Sequence, residues 1–374
     1  MSDTLQVQDQ PAVIPARRRI RLPLAPVLVF LILMIIPFYA DGFWLQTGLF
    51  AMAAAVGAIG LNLLTGATGQ LSMGHAFFLA IGAYGYVYFA ADSSSTLSGL
   101  GLPPLVAMVL AVALSGVAGL LFSPISGRLS GVNLGIATLA LIFLGQHVLF
   151  NAEEITGGVN GRSVPVFELF GFAFDGTTPL TVLGIPFGGA EKLWYLGLVV
   201  LAVAAYFATG VLRSRPGRAL NAIRDHRIAA GVMGVPVARY RASVFVLSSM
   251  YGGLAGVLVA LAFQRTVPDY FGIVLSLEYL AMIVIGGLGT AQGAILGALM
   301  VTLLPQVLTR YSDSLPFVAP PGSGGTLSPS IAARFLYGAA VVGIVLFLPG
   351  GLLSLWARIR TRIIPIPRKK ESNS

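Results

Sequence analysis

Cysteine is missing from the 374-residue sequence, and lysine and histidine occur three times each. Without cysteine there is no disulfide framework and no thiolate metal site. His75, His147 and His226 lie too far apart in sequence to form a local metal motif. None of Lys192, Lys369 and Lys370 follows a glycine. A G-x-x-x-x-G-K-[ST] loop is therefore absent, and this chain does not bind ATP through one. No D-x-x-x-D cluster marks a membrane boundary, and neither G-x-S-x-G nor H-E-x-x-H occurs. These gaps remove the usual constellations of a membrane-bound hydrolase or diphosphate enzyme. Charge is scarce as well, at 10% of residues, where soluble domains carry about 25%.

What is present is apolar. Hydrophobic residues make up 56% of the sequence, and the mean hydropathy is +0.86. Both values describe a polytopic membrane protein. The net charge of +9 then reads as an arginine bias toward cytoplasmic loops, and no nucleic-acid partner is expected.

Apolar runs at 22–40, 43–65, 71–90, 104–122, 130–150, 192–212, 241–263 and 331–349 predict single spans. Nineteen residues of helix reach roughly 28 Å, about one hydrocarbon thickness. The run 275–305 is too long for one span and is broken at Gly286-Gly287-Leu288-Gly289-Thr290, which predicts a helical hairpin or a broken pair. Arg17, Arg18, Arg19 and Arg21 before the first run resemble the start of a secretory leader. No small-residue cleavage site follows in FYADGFW, so a retained span is expected.

The expected fold is an all-α polytopic membrane protein of about 8–10 transmembrane helices, some broken or re-entrant, with both termini cytoplasmic. Arginine and lysine place that orientation. The segments 1–21, 123–129, 213–240 and 350–374 hold four, one, six and six of them. Asp41, Asp92, Glu153, Glu154, Glu168, Asp175, Glu191, Asp269 and Asp313 fall on the other side. Residues 1–21 and 351–374 then form basic cytoplasmic tails around a transmembrane domain at 22–350. Outer loops are expected at 151–191 and 306–330, the second containing VAPPGSGGTLSPS, and the main inner loop at 213–240. Within the spans His75, His147 and Glu278 are the ionisable candidates. Ion-coupled carriers place carboxylate relays there, so the energy for any transport is expected from another subunit.

Three constellations remain. LNLLTGATGQLSMGHAFF (61–78) and VIGGLGTAQGAILG (284–297) each break an apolar run with glycines and one glutamine. Backbone freed in a membrane must be satisfied by protein or water, and paired breaks of this kind point to transport pathways. Asn62, Gln70, Ser72, His75 and Gln292 either line such a path or hydrogen-bond between helices. Gly82, Gly85, Gly293 and Gly297 fit close helix packing. The third constellation, GRALNAIRDHRIAAGVMGVPVARYR (217–241), predicts a short amphipathic helix. Leu220, Ile223, Ile228 and Val232 lie on its apolar side, and Arg224, Asp225 and Arg227 on the other. Such a helix rests on lipid headgroups or inserts into a partner's groove.

IAAGVMG resembles the coupling loop of ABC-importer permeases, E-A-A-x-x-x-G, with Ala229, Ala230 and Gly234 matching and Ile228 in place of the glutamate. GRALNAIRDHRIAAGVMG resembles more specifically the branched-chain amino acid permease family, LivM type. Blocks at 61–85, ITGGVNG (155–161), LEYLAMIVIGGLGTAQGAILGAL and LFLPGGLL follow in the same order. The resemblance implies a permease subunit in a bacterial cytoplasmic (inner) membrane, surrounded by lipid and needing no cofactor of its own. It would pair with a homologous second permease. Two cytoplasmic ATP-binding subunits would dock through Arg224, Asp225, Ala229, Ala230 and Gly234. An extracytoplasmic substrate-binding protein would dock near Thr156, Gly157, Gly158 and Asn160, although TGGVNG also reads as a tight turn needing positive φ. A path with few charges suits branched-chain or other hydrophobic amino acids, and also urea or short amides. A stand-alone carrier or channel is the alternative outside this class.

Overall fold

The computed structural model describes residues 24–176, 180–182, 185–311, 329–347 and 351–352. The expected basic tail at 1–21, the C-terminal tail from 353, and residues 312–328 of the second outer loop lie outside the described residues.

The chain opens with α1 (Leu24–Ile35) and a 3-10 turn at Ile36–Phe38. The Asp41 carboxylate then accepts from the Trp44 N–H at 3.2 Å and caps α2 (Gly42–Thr68). Next come α3 (His75–Ala90), α4 (Pro104–Arg128) and α5 (Val132–Asn151). The segment expected as an outer loop contains α6 (Glu153–Thr156) and five short strands: β1 (Arg162–Ser163), β2 (Glu168–Leu169), β3 (Phe172–Ala173), β4 (Leu180–Val182) and β5 (Ile185–Phe187). α7 (Gly189–Arg213) leads to α8 (Arg215–Asp225), α9 (Arg227–Val232) and α10 (Val237–Phe263). After β6 (Arg265–Thr266) the chain finishes with α11 (Ile273–Gly286), α12 (Ala291–Arg310) and α13 (Pro329–Phe347).

Among the described residues, six helices are long and apolar enough to cross a membrane: α2, α4, α5, α7, α10 and α12. Shorter apolar helices at Val27–Phe38, His75–Ala90, Ile273–Gly286 and Arg334–Ile344 accompany them. The expected all-α polytopic fold with broken segments is the one observed, and the long run does divide into α11 and α12. Sheet among the described residues is limited to the antiparallel pairs β1–β6, β2–β3 and β4–β5. The α5–α7 connection is thereby tied to the end of α10, with Arg162 opposite Thr266.

Burial ranks the helices. In its most apolar window α2 is 89% buried and α10 72%, against 22% for α5. α2 is the central post, packed by α7, α10, α11 and α12. Its run of Ala51, Ala53, Ala54, Ala55 and Ala58 lets neighbours come close. α4, α5 and α7 carry rows of exposed apolar side chains, among them Val109, Leu121, Ile136, Val203 and Phe207, a surface suited to lipid or to another membrane helix. Lipid tails are as apolar as leucine, so small residues and dispersion hold helices together here. A Cβ on Gly82 would overlap the Gly253 backbone, and one on Gly256 the Leu79 carbonyl.

That close approach gives a first expectation. Gly256→Ala should force α10 away from α3 and cost about 1–3 kcal/mol. Gly210→Ala, where an added methyl meets nothing within 4 Å, should be neutral or slightly stabilising. Melting temperatures in detergent compare the two. Equal melting would remove the packing account of Gly256.

Candidate functional site

Two breaks in the membrane helices and the α8–α9 loop converge at one end of the bundle. The first break begins where α2 ends. Gly69 adopts φ +69°, a left-handed turn that favours glycine. The chain reverses there, and residues 70–74 climb back without helical structure. α3 starts only at His75, whose Nε2 lies 2.9 Å from the Gly57 carbonyl. Gly57 sits roughly 16 Å up α2 from Thr68 at the helical rise. The expected span at 71–90 thus begins four residues late, well inside the protein.

An unwound strand at that depth must find protein partners. The Met73 N–H donates to Thr138 Oγ1 at 2.9 Å, and the Ala76 N–H to Ser276 Oγ at 2.9 Å. Gln70 Nε2 donates to Thr68 Oγ1 and to the Arg241 carbonyl, and its Oε1 accepts from Ser126 at 2.9 Å. The His75 ring meets Tyr279 edge-on with centroids 5.1 Å apart. Ser72 is buried beside this chain of contacts.

The second break is held by α2. Asn62 Nδ2 donates to the carbonyls of Gly287 at 3.2 Å and Thr290 at 2.8 Å, and its Oδ1 accepts from the Gly289 N–H at 2.8 Å. Thr290 then caps α12 by accepting from the Gly293 N–H. Cβ atoms on Gly286 and Gly297 would overlap the Gly293 and Met282 carbonyls, so only glycine lets α11 and α12 pack as a hairpin. Of the five polar candidates the structure brings Asn62, Gln70, Ser72 and His75 into the interior, each about 2–3% exposed. Gln292 does not join them, because it points outward from the first turn of α12. Glu278, the carboxylate expected within a span, lies 3.8 Å from Arg334.

Arg241, 3% exposed, locks the converging end. It donates through Nη1 to the Gly127 carbonyl at 3.0 Å and through Nη2 to Leu129, capping the C-terminus of α4. Serine, threonine and arginine at Ser126, Thr138, Ser276 and Arg241 therefore belong to the site, though the sequence motifs did not single them out. Their signal is a polar side chain inside an apolar span.

The amphipathic helix expected within 217–241 is two helices, α8 and α9. His226 is extended, at φ −155°, and accepts from the Ala229 N–H at 3.3 Å, so it ends α8 and caps α9. Leu220 and Ile223 of α8 are buried, as is Ala230 of α9. Ala229 faces out. Ile228, Val232 and Met233 are 74%, 82% and 84% exposed, an apolar tip with no internal partner. Gly234, at φ +82°, turns the chain back toward α10. Arg224 does not join that tip. It pairs with Asp225 at 3.1 Å and donates through Nη1 to the Gly66 carbonyl at 3.1 Å.

At the opposite end, Thr156, Gly157 and Gly158 build a turn. Thr156 Oγ1 donates to the Leu149 and Ala152 carbonyls and accepts from the Gly158 N–H. Gly157, Gly158 and Gly161 all have positive φ, in agreement with the tight turn read from TGGVNG. Asn160 and Val159 are exposed. Arg162, buried beneath this turn, ties it to the 91–101 loop through the Ser98 carbonyl at 2.6 Å. Burial lowers its guanidinium below the usual arginine range.

Residues 43–358 match the family described as branched-chain amino acid transport system / permease component. The chain is 30% identical over 266 residues to the high-affinity branched-chain amino acid transport system permease protein LivM of Salmonella typhimurium, covering 68% of this chain and 61% of that protein. It is 24% identical over 275 residues to the LivH permease protein of the same organism, covering 68% of this chain and 81% of that one. To the probable ABC transporter permease protein y4mJ of Sinorhizobium fredii it is 30% identical over 192 residues, 50% of this chain and 54% of that protein. The chain thus spans about 61% of the length of the LivM relative. No solved structure matches. With a match running from α2 to beyond α13, the chain belongs to the family of branched-chain amino acid transport system permease components.

Proposed function

We propose that the chain is the transmembrane permease subunit of an ATP-driven importer for branched-chain or other hydrophobic amino acids, in an inner membrane. The observation that carries this reading is the α9 tip. Ile228, Val232 and Met233 are exposed at the end of a helix pair, on a chain with no nucleotide-binding motif of its own. An apolar tip of this size fits a groove on an ATP-binding partner. Two such partners, a homologous second permease and an extracytoplasmic binding protein complete the proposed assembly. Similarity to both LivM and LivH supports a pair of related permeases.

In this orientation the α8–α9 end is cytoplasmic, together with both termini. Arg213, Arg215, Arg218, Arg227 and Arg239 cluster there, while Asp92, Glu153, Glu154 and Glu168 are exposed at the other end. Single cysteines placed at 160 and 226 in this cysteine-free chain should label from outside and inside respectively. The reverse pattern would invert the proposal.

Asn160 and Val159 are the exposed part of the proposed docking turn for the binding protein, with Thr156, Gly157 and Gly158 shaping it. Ala229 and Gly234 flank the ATPase contact, and Ala230 supports it from within. Asn62, Gln70, Ser72 and His75 are proposed to shape the substrate path by fixing the helix breaks.

Val232→Asp combined with Met233→Asp should cut co-purification with the ATP-binding subunits at least tenfold while membrane insertion persists. Undiminished co-purification would remove the coupling assignment. The substrate class is tested by ATP hydrolysis of the assembled complex with its binding protein, across amino acids and urea. Stimulation by leucine, isoleucine or valine is expected, and stimulation by urea alone would overturn the amino-acid reading.

A further inference from the structure

We infer that Arg224 is a positioning residue that transmits movement of the α8–α9 loop to the glycine break between α11 and α12. This rests on the proposal that the loop is where an ATP-binding partner docks.

The last four carbonyls of a helix lack intrahelical partners. Gly66 O is one of these on α2, and Arg224 Nη1 satisfies it at 3.1 Å. Gly66 lies one turn beyond Asn62, the residue that holds Gly287, Gly289 and Thr290. A Cβ on Gly66 would overlap both Asn62 Oδ1 and the Gly289 nitrogen. The loop arginine, the end of α2 and the break therefore meet at one point.

The two sides of that point differ in stiffness. Asn62 makes three hydrogen bonds to the break, one buried and two part-buried. Arg224 is half-exposed and shares its guanidinium with Asp225, a contact that a docking partner can exchange at little cost. The break has backbone freedom to respond, since Gly287 and Gly289 adopt φ +119° and +83°. Displacing α8 shifts Arg224, releases or retightens Gly66 O, and resets the break through Asn62. α9 docks and Arg224 transmits, so neighbouring residues of one loop divide the two tasks.

Leu288, at the centre of the break and 49% exposed, is a suitable reporter in a chain without cysteine. The experiment uses Leu288→Cys in the complex reconstituted with its ATP-binding subunits. Thiol-labelling rates are compared without nucleotide and with ATP plus vanadate. With Arg224 present the rate should change at least threefold between the two states. Arg224→Ala should abolish that change while the ATP-binding subunits still co-purify. Arg224→Lys, which keeps a donor within reach of Gly66 O, should restore it. A merely structural role would shift both rates together and leave their ratio intact. An undiminished ratio in Arg224→Ala, or no change even with Arg224, would overturn the inference. Loss of co-purification in Arg224→Ala would make Arg224 a docking residue instead. Failure of the chain with its native residues at 224 and 288 to co-purify would overturn the coupling-loop proposal.

Discussion

Asn62→Ala should abolish most of the folded, monodisperse protein recovered in detergent. The substitution leaves the Gly287 and Thr290 carbonyls without donors and the Gly289 N–H without an acceptor. Among the described residues no other side chain is placed to replace the buried bond to Gly287, and lipid cannot. Each stranded group costs about 1–3 kcal/mol, and three together amount to about 3–9 kcal/mol, comparable to the whole stability of many domains. Asn62→Asp should not rescue the protein. It retains the acceptor for Gly289, loses both donors and buries a charge. Recovery and melting temperature by size-exclusion chromatography check this. A variant that melts within about 2 °C of the native chain would show that α2 does not hold the break.

The second large effect is expected at Arg241. Arg241→Met keeps the stem but removes the donors at the C-terminus of α4, stranding Leu129 O and weakening Gly127 O. Arg227 Nη2 also reaches the Gly127 carbonyl, at 3.4 Å, so one acceptor keeps a weak partner. The expected loss is therefore about 2–4 kcal/mol. Gln70 contacts the backbone carbonyl of residue 241, not its side chain, so the 69–74 turn should survive. Arg241→Met should accordingly lower the melting temperature by several degrees while leaving thiol labelling of a cysteine at 288 unchanged. If labelling at 288 changes with it, the α4–α10 lock and the α11–α12 break are one cooperative unit, and the local account fails.

The apolar runs made the long spans legible, because about 20 consecutive apolar residues have few other uses. The paired glycine breaks were legible for a similar reason: glycine and glutamine inside such runs need an explanation. The partners that hold the breaks were not legible. Asn62 bonds residues about 225 positions away, and no local period encodes such a pairing. The late start of α3 was hidden because Leu71, Ser72 and Met73 are as compatible with a helix as with an unwound strand. His226 divided a pattern that looked continuous, since it caps as well as it propagates. Arg224 was placed with the charged outer face by periodicity, yet the end of α2 supplies a carbonyl that draws it inward. Gln292, a polar residue beside a break, faces out of the chain and is not drawn into the interior with the other four.

Uptake into proteoliposomes tests the central claim most directly. Radiolabelled leucine should accumulate only when this chain is reconstituted with its partner permease, both ATP-binding subunits, a loaded binding protein and ATP. A change of the Walker lysine in the ATP-binding subunits should abolish that uptake. Leucine uptake by this chain alone, without nucleotide, would contradict the account and make it a carrier or channel in its own right.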